Sequence, residues 1–161
     1  IPREAPFPLG CLTVTAFPTP HDTTESVGYR IAADGGGVFA LATDTGCVTE
    51  TMLRYLSGVD AALIEANHDE QLLRYGPYPV YLKRRILSDR GHLSNAECTW
   101  LAAVLARSGV RHLILGHLSR ENNRPELALG TVSRALEGAG TRLYAAPERG
   151  FLEVEWTPCC V

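Results

Sequence analysis

Ala61-Ala62-Leu63-Ile64-Glu65 is a short apolar run that stops on a carboxylate, with His68 just beyond it. Two other runs end in the same manner. Val38-Phe39-Ala40-Leu41-Ala42-Thr43 runs into Asp44, and His112-Leu113-Ile114-Leu115-Gly116 runs into His117. Apolar runs of this length, bounded by glycine and polar residues, read as buried strands. Strands of one open α/β sheet present their carboxyl ends on a common edge, and ligands bind there. Carboxylates and imidazoles from distant parts of the chain should therefore converge on one spot, which is how a metal site is assembled.

The sequence around these runs supports a sheet. Residues 12–17 alternate as a strand that Pro18-Thr19-Pro20 breaks. Residues 27–33 read as a second strand, and Gly35-Gly36-Gly37 turns into the third, so the opening stretch is a meander with short connections. Helices are expected at 48–56, 69–75 and 80–86. Ser94 and Glu97 form a capping box for another, with Trp100, Leu101, Val104 and Leu105 as its apolar stripe. Pro125 opens a last helix running to about 137, at a position that suits proline. Strands at 60–65, 111–116 and 142–146 alternate with these helices, which makes the chain an α/β layered domain.

A length of 161 residues suits one domain, 1–161, with a real core. The net charge of −3 argues against nucleic-acid binding by bulk charge but leaves room for a local basic patch. No apolar run approaches the ~18–20 residues needed to span a bilayer, so no membrane partner is expected. Five cysteines, Cys11, Cys47, Cys98, Cys159 and Cys160, include no CxxC pair, and an odd count suits free thiols in a reducing cytoplasm. Cys159-Cys160 at the C-terminus reads as incidental. The chain begins Ile1-Pro2-Arg3 without methionine or signal segment. It is expected to be the latter part of something longer, or a processed product.

Each candidate residue has a plain structural alternative. Asp44, in Thr43-Asp44-Thr45-Gly46, suits a metal carboxylate or an N-cap for the helix at 48. His117, in Gly116-His117-Leu118-Ser119, is a ligand or a core histidine held by backbone. His21 follows a strand, and neighbouring Asp22 is placed to fix its tautomer, as the outer partners of metal-bound histidine do. His92 precedes a helix N-terminus, where backbone amides suit an anion. A histidine beside Glu65 could act as a general acid. His112 begins a strand and reads as structural. Lys83, Arg84, Arg85, Arg90, Arg120 and Arg124 flank these positions, where phosphate contacts are expected.

Taken in order, His21, Thr43-Asp44-Thr45-Gly46, Glu65-Ala66-Asn67-His68-Asp69, Tyr78-Pro79…Lys83-Arg84-Arg85-Ile86, Gly91-His92-Leu93-Ser94-Asn95 and Gly116-His117-Leu118-Ser119 resemble the latter part of the metallo-β-lactamase-fold hydrolases. The likeness is greatest to the bacterial YycJ/WalJ-type exonuclease group and extends more distantly to RNase Z. It covers about residues 9–147. It implies the C-terminal half of an αββα sandwich with two divalent metal ions, zinc or manganese. His21 would bind the first metal, Asp44 would bridge both, and His117 would bind the second. Glu65 and His92 would pair beside the scissile phosphate with His92 as proton donor, and His68 would compete for that role. Lys83, Arg84, Arg85 and Asn95 would hold substrate.

The family's His-x-His-x-Asp-His loop is absent from this sequence, and with it most of the ligands. Catalytic zinc normally has at least three protein ligands, so neither site is complete here. The resemblance thus implies a metal-dependent phosphodiester hydrolase, a nuclease acting on DNA, whose isolated chain is inactive. It also implies a partner, either the missing N-terminal half as a separate chain or a second copy. Alternating residues 38, 40 and 42 or 39 and 41, with Leu113 and Leu115, would form the sheet face awaiting that partner. The rival readings are a small-molecule phosphodiesterase or thioester hydrolase on the same fold, and a non-catalytic assembly or binding half-domain.

Overall fold

The computed structural model describes residues 3–155, and the strands among them form one seven-stranded sheet in chain order. β1 (Pro6–Leu9), β2 (Leu12–Pro18), β3 (Val27–Ala33) and β4 (Val38–Ala42) make an antiparallel meander. The β3–β4 turn needs glycine, because Gly36 and Gly37 have φ of 89° and 93°. From β4 onward pairing is parallel, through β5 (Ala61–Glu65), β6 (His112–Gly116) and β7 (Arg142–Ala145). Helices fill the crossovers: α1 (Glu50–Leu56), then α2 (Glu70–Tyr75), α3 (Val80–Ile86) and α4 (Asn95–Arg107), then α5 (Pro125–Ser133). β1 escapes a reading of the sequence because Pro6 and Pro8 interrupt it, and an edge strand tolerates them.

The expected capping box is formed in full: the Ser94 side chain accepts from the Glu97 amide, and the Glu97 carboxylate accepts from the Ser94 amide. The buried face of α4 is Cys98, Leu101, Ala102 and Leu105. Trp100 does not join it and is 54% exposed, since the next position along a 3.6-residue turn faces away. The last helix stops at Ser133 and tightens into a 3₁₀ turn at Arg134–Leu136.

One face of the sheet carries Ala40, Ala42, Ala62, Ile64, Leu113 and Leu115 against Met52 and Leu56 of α1, Leu101 and Leu105 of α4, and Val132 of α5. Leu113 and Leu115 are therefore covered by the chain's own helices and await no partner. Alternation places Phe39, Leu41, Leu63 and Ile114 on the opposite face. There Phe151, Leu152 and Val154 border an apolar trough with Phe39, Leu63 and Ile114. Among the described residues no helix is long and apolar enough to cross a membrane. Cys11, Cys47 and Cys98 are free thiols, and Cys159 and Cys160 lie outside the described residues.

Candidate metal centre

Parallel register sets the first layer of the site. Ala42, Ile64 and Leu115 are level across β4, β5 and β6, and Glu65 is level with Gly116. Counting on from there, Asp44 and His117 flank β5 at one height, with Glu65 a step below. Both leave their strands in the left-handed region, Asp44 at φ 53° and His117 at φ 56°. Such backbone is uncommon for non-glycine residues, costs about 1–3 kcal/mol, and collects at functional sites. Asp44 is no helix cap, since Thr49 caps α1.

Glu65 organises the layer. It is fully buried, yet its Oε1 accepts from His92 Nδ1 and from His117 Nδ1, each at 2.7 Å, and its Oε2 accepts from the Thr45 amide at 2.9 Å. Burial pushes this carboxyl up, but the bonds from His117, His92 and Thr45 outweigh it and hold it below the ordinary value. The same bond from Glu65 raises His117 above the usual imidazole range. His21 is fixed differently from the sequence expectation. Its Nδ1 donates to the Gly91 carbonyl at 3.0 Å, while Asp22 pairs with Arg85 and stands 3.5 Å from the His21 Nε2. Arg90 holds the His21 carbonyl from outside.

With Nδ1 of each of these rings engaged, Nε2 is the nitrogen left for a ligand. Asp44 Oδ1 lies 3.8 Å from His21 Nε2 and 3.8 Å from His117 Nε2. Donor atoms sharing a metal at ~2.0–2.2 Å sit roughly 3–4 Å apart, so these separations suit ligands better than direct hydrogen bonds. His92 stands between, with ring centroids 4.9 Å from His21 and 5.1 Å from His117. Ligand-type atoms of His21, Asp44 and His92 lie within 4.8 Å of one another, as do those of Glu65, His92 and His117. In the second group Glu65 is already the acceptor for both rings, which makes it their anchor rather than a ligand. The donor set fits divalent metal, with His21, Asp44, His92 and His117 as candidate ligands.

The remaining expected residues divide. His92 lines a cleft of about 300 Å³ together with His21, His117, Asn67, Tyr78 and Arg85. His68 does not; it is 1% exposed, and neither ring nitrogen has a hydrogen-bond partner among the described residues. Burial holds its imidazole below the ordinary value. Lys83 donates to the carbonyls of Arg74 and Gly76, each at 2.8 Å, and Asn95 exchanges amide bonds with Asn123. Those bonds tie both side chains to their own chain, and neither lines the cleft. Arg85 borders the cleft while tied to Asp22, and Arg84 is exposed. His112 is structural as expected, beside the Tyr144 hydroxyl.

Two positioning contacts are made by residues inside the motif blocks whose roles the sequence does not disclose. The Asn67 side chain donates to the His117 carbonyl at 2.9 Å, and its own amide and carbonyl tie to Leu93 and Ser119. Gly46 and Gly91 meet backbone to backbone: a Cβ on Gly46 would come within 2.3 Å of the Gly91 nitrogen. That contact presses the loop after β4 against the loop bearing His92.

The sequence profile described as a beta-lactamase superfamily domain matches residues 1–118, which include every ligand candidate above. The chain belongs to the metallo-β-lactamase superfamily. It is 40% identical over 132 residues to exodeoxyribonuclease YycJ of Bacillus anthracis, covering 82% of this chain and 50% of that protein. It is 41% identical over 131 residues to exodeoxyribonuclease WalJ of Streptococcus pneumoniae serotype 2 (strain D39 / NCTC 7466), covering 81% and 48%. The chain spans about half the length of the relatives it matches. Among solved structures, the metallo-β-lactamase-fold protein YhfI of Bacillus subtilis superposes with a TM-score of 0.65 at 18% identity, covering 91% of this chain and 51% of that one. Zinc-bound PqqB of Methylobacterium extorquens gives 0.64 at 21% identity, covering 96% and 55%. These two show the shared fold. The superfamily is one of metal-dependent hydrolases, and the imidazole–carboxylate cluster supplies candidate ligands for a divalent metal.

Proposed function

We propose that this chain supplies the C-terminal half of a two-metal phosphodiester hydrolase acting on DNA. The observation that carries this is Asp44, 3.8 Å from the Nε2 atoms of His21 and His117, whose Nδ1 atoms are pinned to Gly91 and Glu65. The exodeoxyribonuclease relatives at 40% and 41% identity favour DNA over other phosphodiesters. Divalent ions held there supply Lewis acidity at the phosphate. His92, with Nδ1 bonded to the buried Glu65 carboxylate, is oriented to give a proton from Nε2 to the leaving oxygen. Three ligands from this chain do not complete two sites. The remaining ligands come from a second segment bearing the His-x-His-x-Asp-His loop, which docks on the sheet face of Phe39, Leu41 and Leu63.

The test is manganese- or zinc-dependent release of nucleotides from linear DNA by the assembled protein. Asp44→Asn and His117→Ala are each expected to abolish release, and His92→Ala to reduce it by ~10²–10⁴. Robust, chelator-sensitive hydrolysis by the 161-residue chain alone would overturn the incomplete-site reading. Full activity of Asp44→Asn would overturn the metal centre itself.

A further inference from the structure

The chain has six tyrosines. Two are plainly structural, Tyr55 stacked on Phe17 and Tyr144 against His112. Three others fall within seven residues, at 75, 78 and 81, and they are not core. Tyr75 is 82% exposed and Tyr81 is 75% exposed, while Tyr78 lines the metal cleft beside His21, His92 and His117. Aromatic rings are costly to leave in water without a purpose. The same stretch carries Arg74, Lys83, Arg84, Arg85 and Arg90 against one acid, Asp89, in a chain whose net charge is −3. Arg74 and Arg84 are exposed, and their side chains have no ion pair or hydrogen bond among the described residues.

The local build holds these rings in place. Pro77 and Pro79 bracket Tyr78, fixing their own φ and keeping Tyr78 out of the helical region. Lys83 reaches back from α3 to the carbonyls of Arg74 and Gly76 and clamps that turn. Tyr81 lies one helical turn before Arg85 and three residues before Arg84, so ring and cations are neighbours on α3, whose Leu82, Arg85 and Ile86 line the cleft. Preset aromatic faces beside free guanidinium groups are what unpaired bases and their phosphates require. A duplex end offers its rim no such rings until its terminal bases separate.

We infer that Tyr78 and Tyr81 stack unpaired terminal bases of a single DNA strand, with Arg84 and Arg74 on its phosphates, and so guide the strand end toward His92. This rests on the hydrolase reading of the same cleft. The test is fluorescence anisotropy of the intact protein in chelator, comparing oligothymidylate with a blunt duplex of equal length. The single strand should bind more tightly. Tyr78→Leu and Tyr81→Leu should each weaken it by roughly tenfold, and Tyr→Phe at either position should restore binding, because stacking needs the ring and not the hydroxyl. Arg84→Gln should weaken both probes and lower the salt dependence. Equal affinity for the two probes with neutral leucine variants would overturn the inference. So would equal losses for leucine and phenylalanine, or leucine variants that dissociate a protein assembly and leave strand binding intact. Hydrolysis of bis(p-nitrophenyl) phosphate with manganese by the unsubstituted protein assembled with the segment that supplies the remaining ligands is read in parallel. Its absence from that assembly would defeat the hydrolase reading and leave the stacking result standing on its own.

Discussion

At the scale of single residues, two of the ligand candidates sit on unfavourable backbone, and that has a measurable consequence. Asp44 at φ 53° pays for its placement in conformational energy. Replacing it removes the carboxylate in any case, so the two simplest replacements isolate the backbone. Asp44→Gly should be more stable than Asp44→Ala by about 1 kcal/mol, because only glycine occupies that region freely. Equal denaturation midpoints would show that the turn relaxes. Glu65 permits a test by pH in the metal-free protein. Its pKa is held below the ordinary 4.5, so its stabilising contribution is present above that value and lost as pH falls through the folded pKa. His117 is raised above 6.5, so its contribution is complete below 6.5 and lost as pH rises through the folded pKa. Both contributions are complete between 4.5 and 6.5, while His68 and His112, held below 6.5 by burial, favour the folded state less as pH falls beneath that value. The pairing is therefore read as a difference: the loss in urea midpoint caused by Glu65→Gln should be largest between 4.5 and 6.5, and a loss independent of pH would contradict it.

At the scale of elements, the site depends on two loops touching through glycine. A Cβ on Gly46 would meet the Gly91 nitrogen at 2.3 Å, and one on Gly91 would meet the Ile86 carbonyl oxygen at 2.1 Å. Both contacts are with backbone rather than with a flexible side chain, so backbone must move. Gly46→Ala and Gly91→Ala should each destabilise by about 1–3 kcal/mol. Gly35→Ala, with nothing within 4 Å of its Cβ, should be close to neutral. Because Gly91 also accepts from His21, the Gly91 variant should lose metal affinity beyond its loss of stability. Thermal melts paired with metal titration separate the two effects, and unchanged affinity in a folded Gly91→Ala protein would remove Gly91 from the site.

At the scale of the whole molecule, the helix layer covers one sheet face and leaves the other to a few residues near the C-terminus. Phe39, Leu41 and Leu63 are only partly buried, and Phe151, beside them, is 90% exposed. Wetting several large apolar side chains forgoes roughly 1.5–3 kcal/mol each when fully exposed, against a total stability of about 5–15 kcal/mol. The isolated chain should therefore associate, and the second segment proposed above should displace that association. Sedimentation across micromolar dilution measures it. A monomer that stays folded and undiluted in stability would show that residues 150–154 cover the face well enough.

Local chemistry was legible without a structure. Apolar runs ending at Asp44, Glu65 and His117 marked strands, Ser94 and Glu97 marked a helix start, and the ordered blocks marked a family, because each depends on neighbours within a few residues. That Asp44 and His117 would end neighbouring parallel strands at one edge was legible too, while His21, which follows the antiparallel β2, was assigned as a ligand only through the resemblance. The roles of Lys83, Asn95 and His68 were not: whether a polar side chain faces substrate or its own chain depends on partners such as Gly76, Asn123 and the burial above His68. Nor could periodicity show which face of β6 the helices cover, or that a carbonyl at Gly91 rather than Asp22 sets the His21 tautomer. Those choices belong to contacts between residues far apart in sequence, which only the folded chain brings within hydrogen-bond reach.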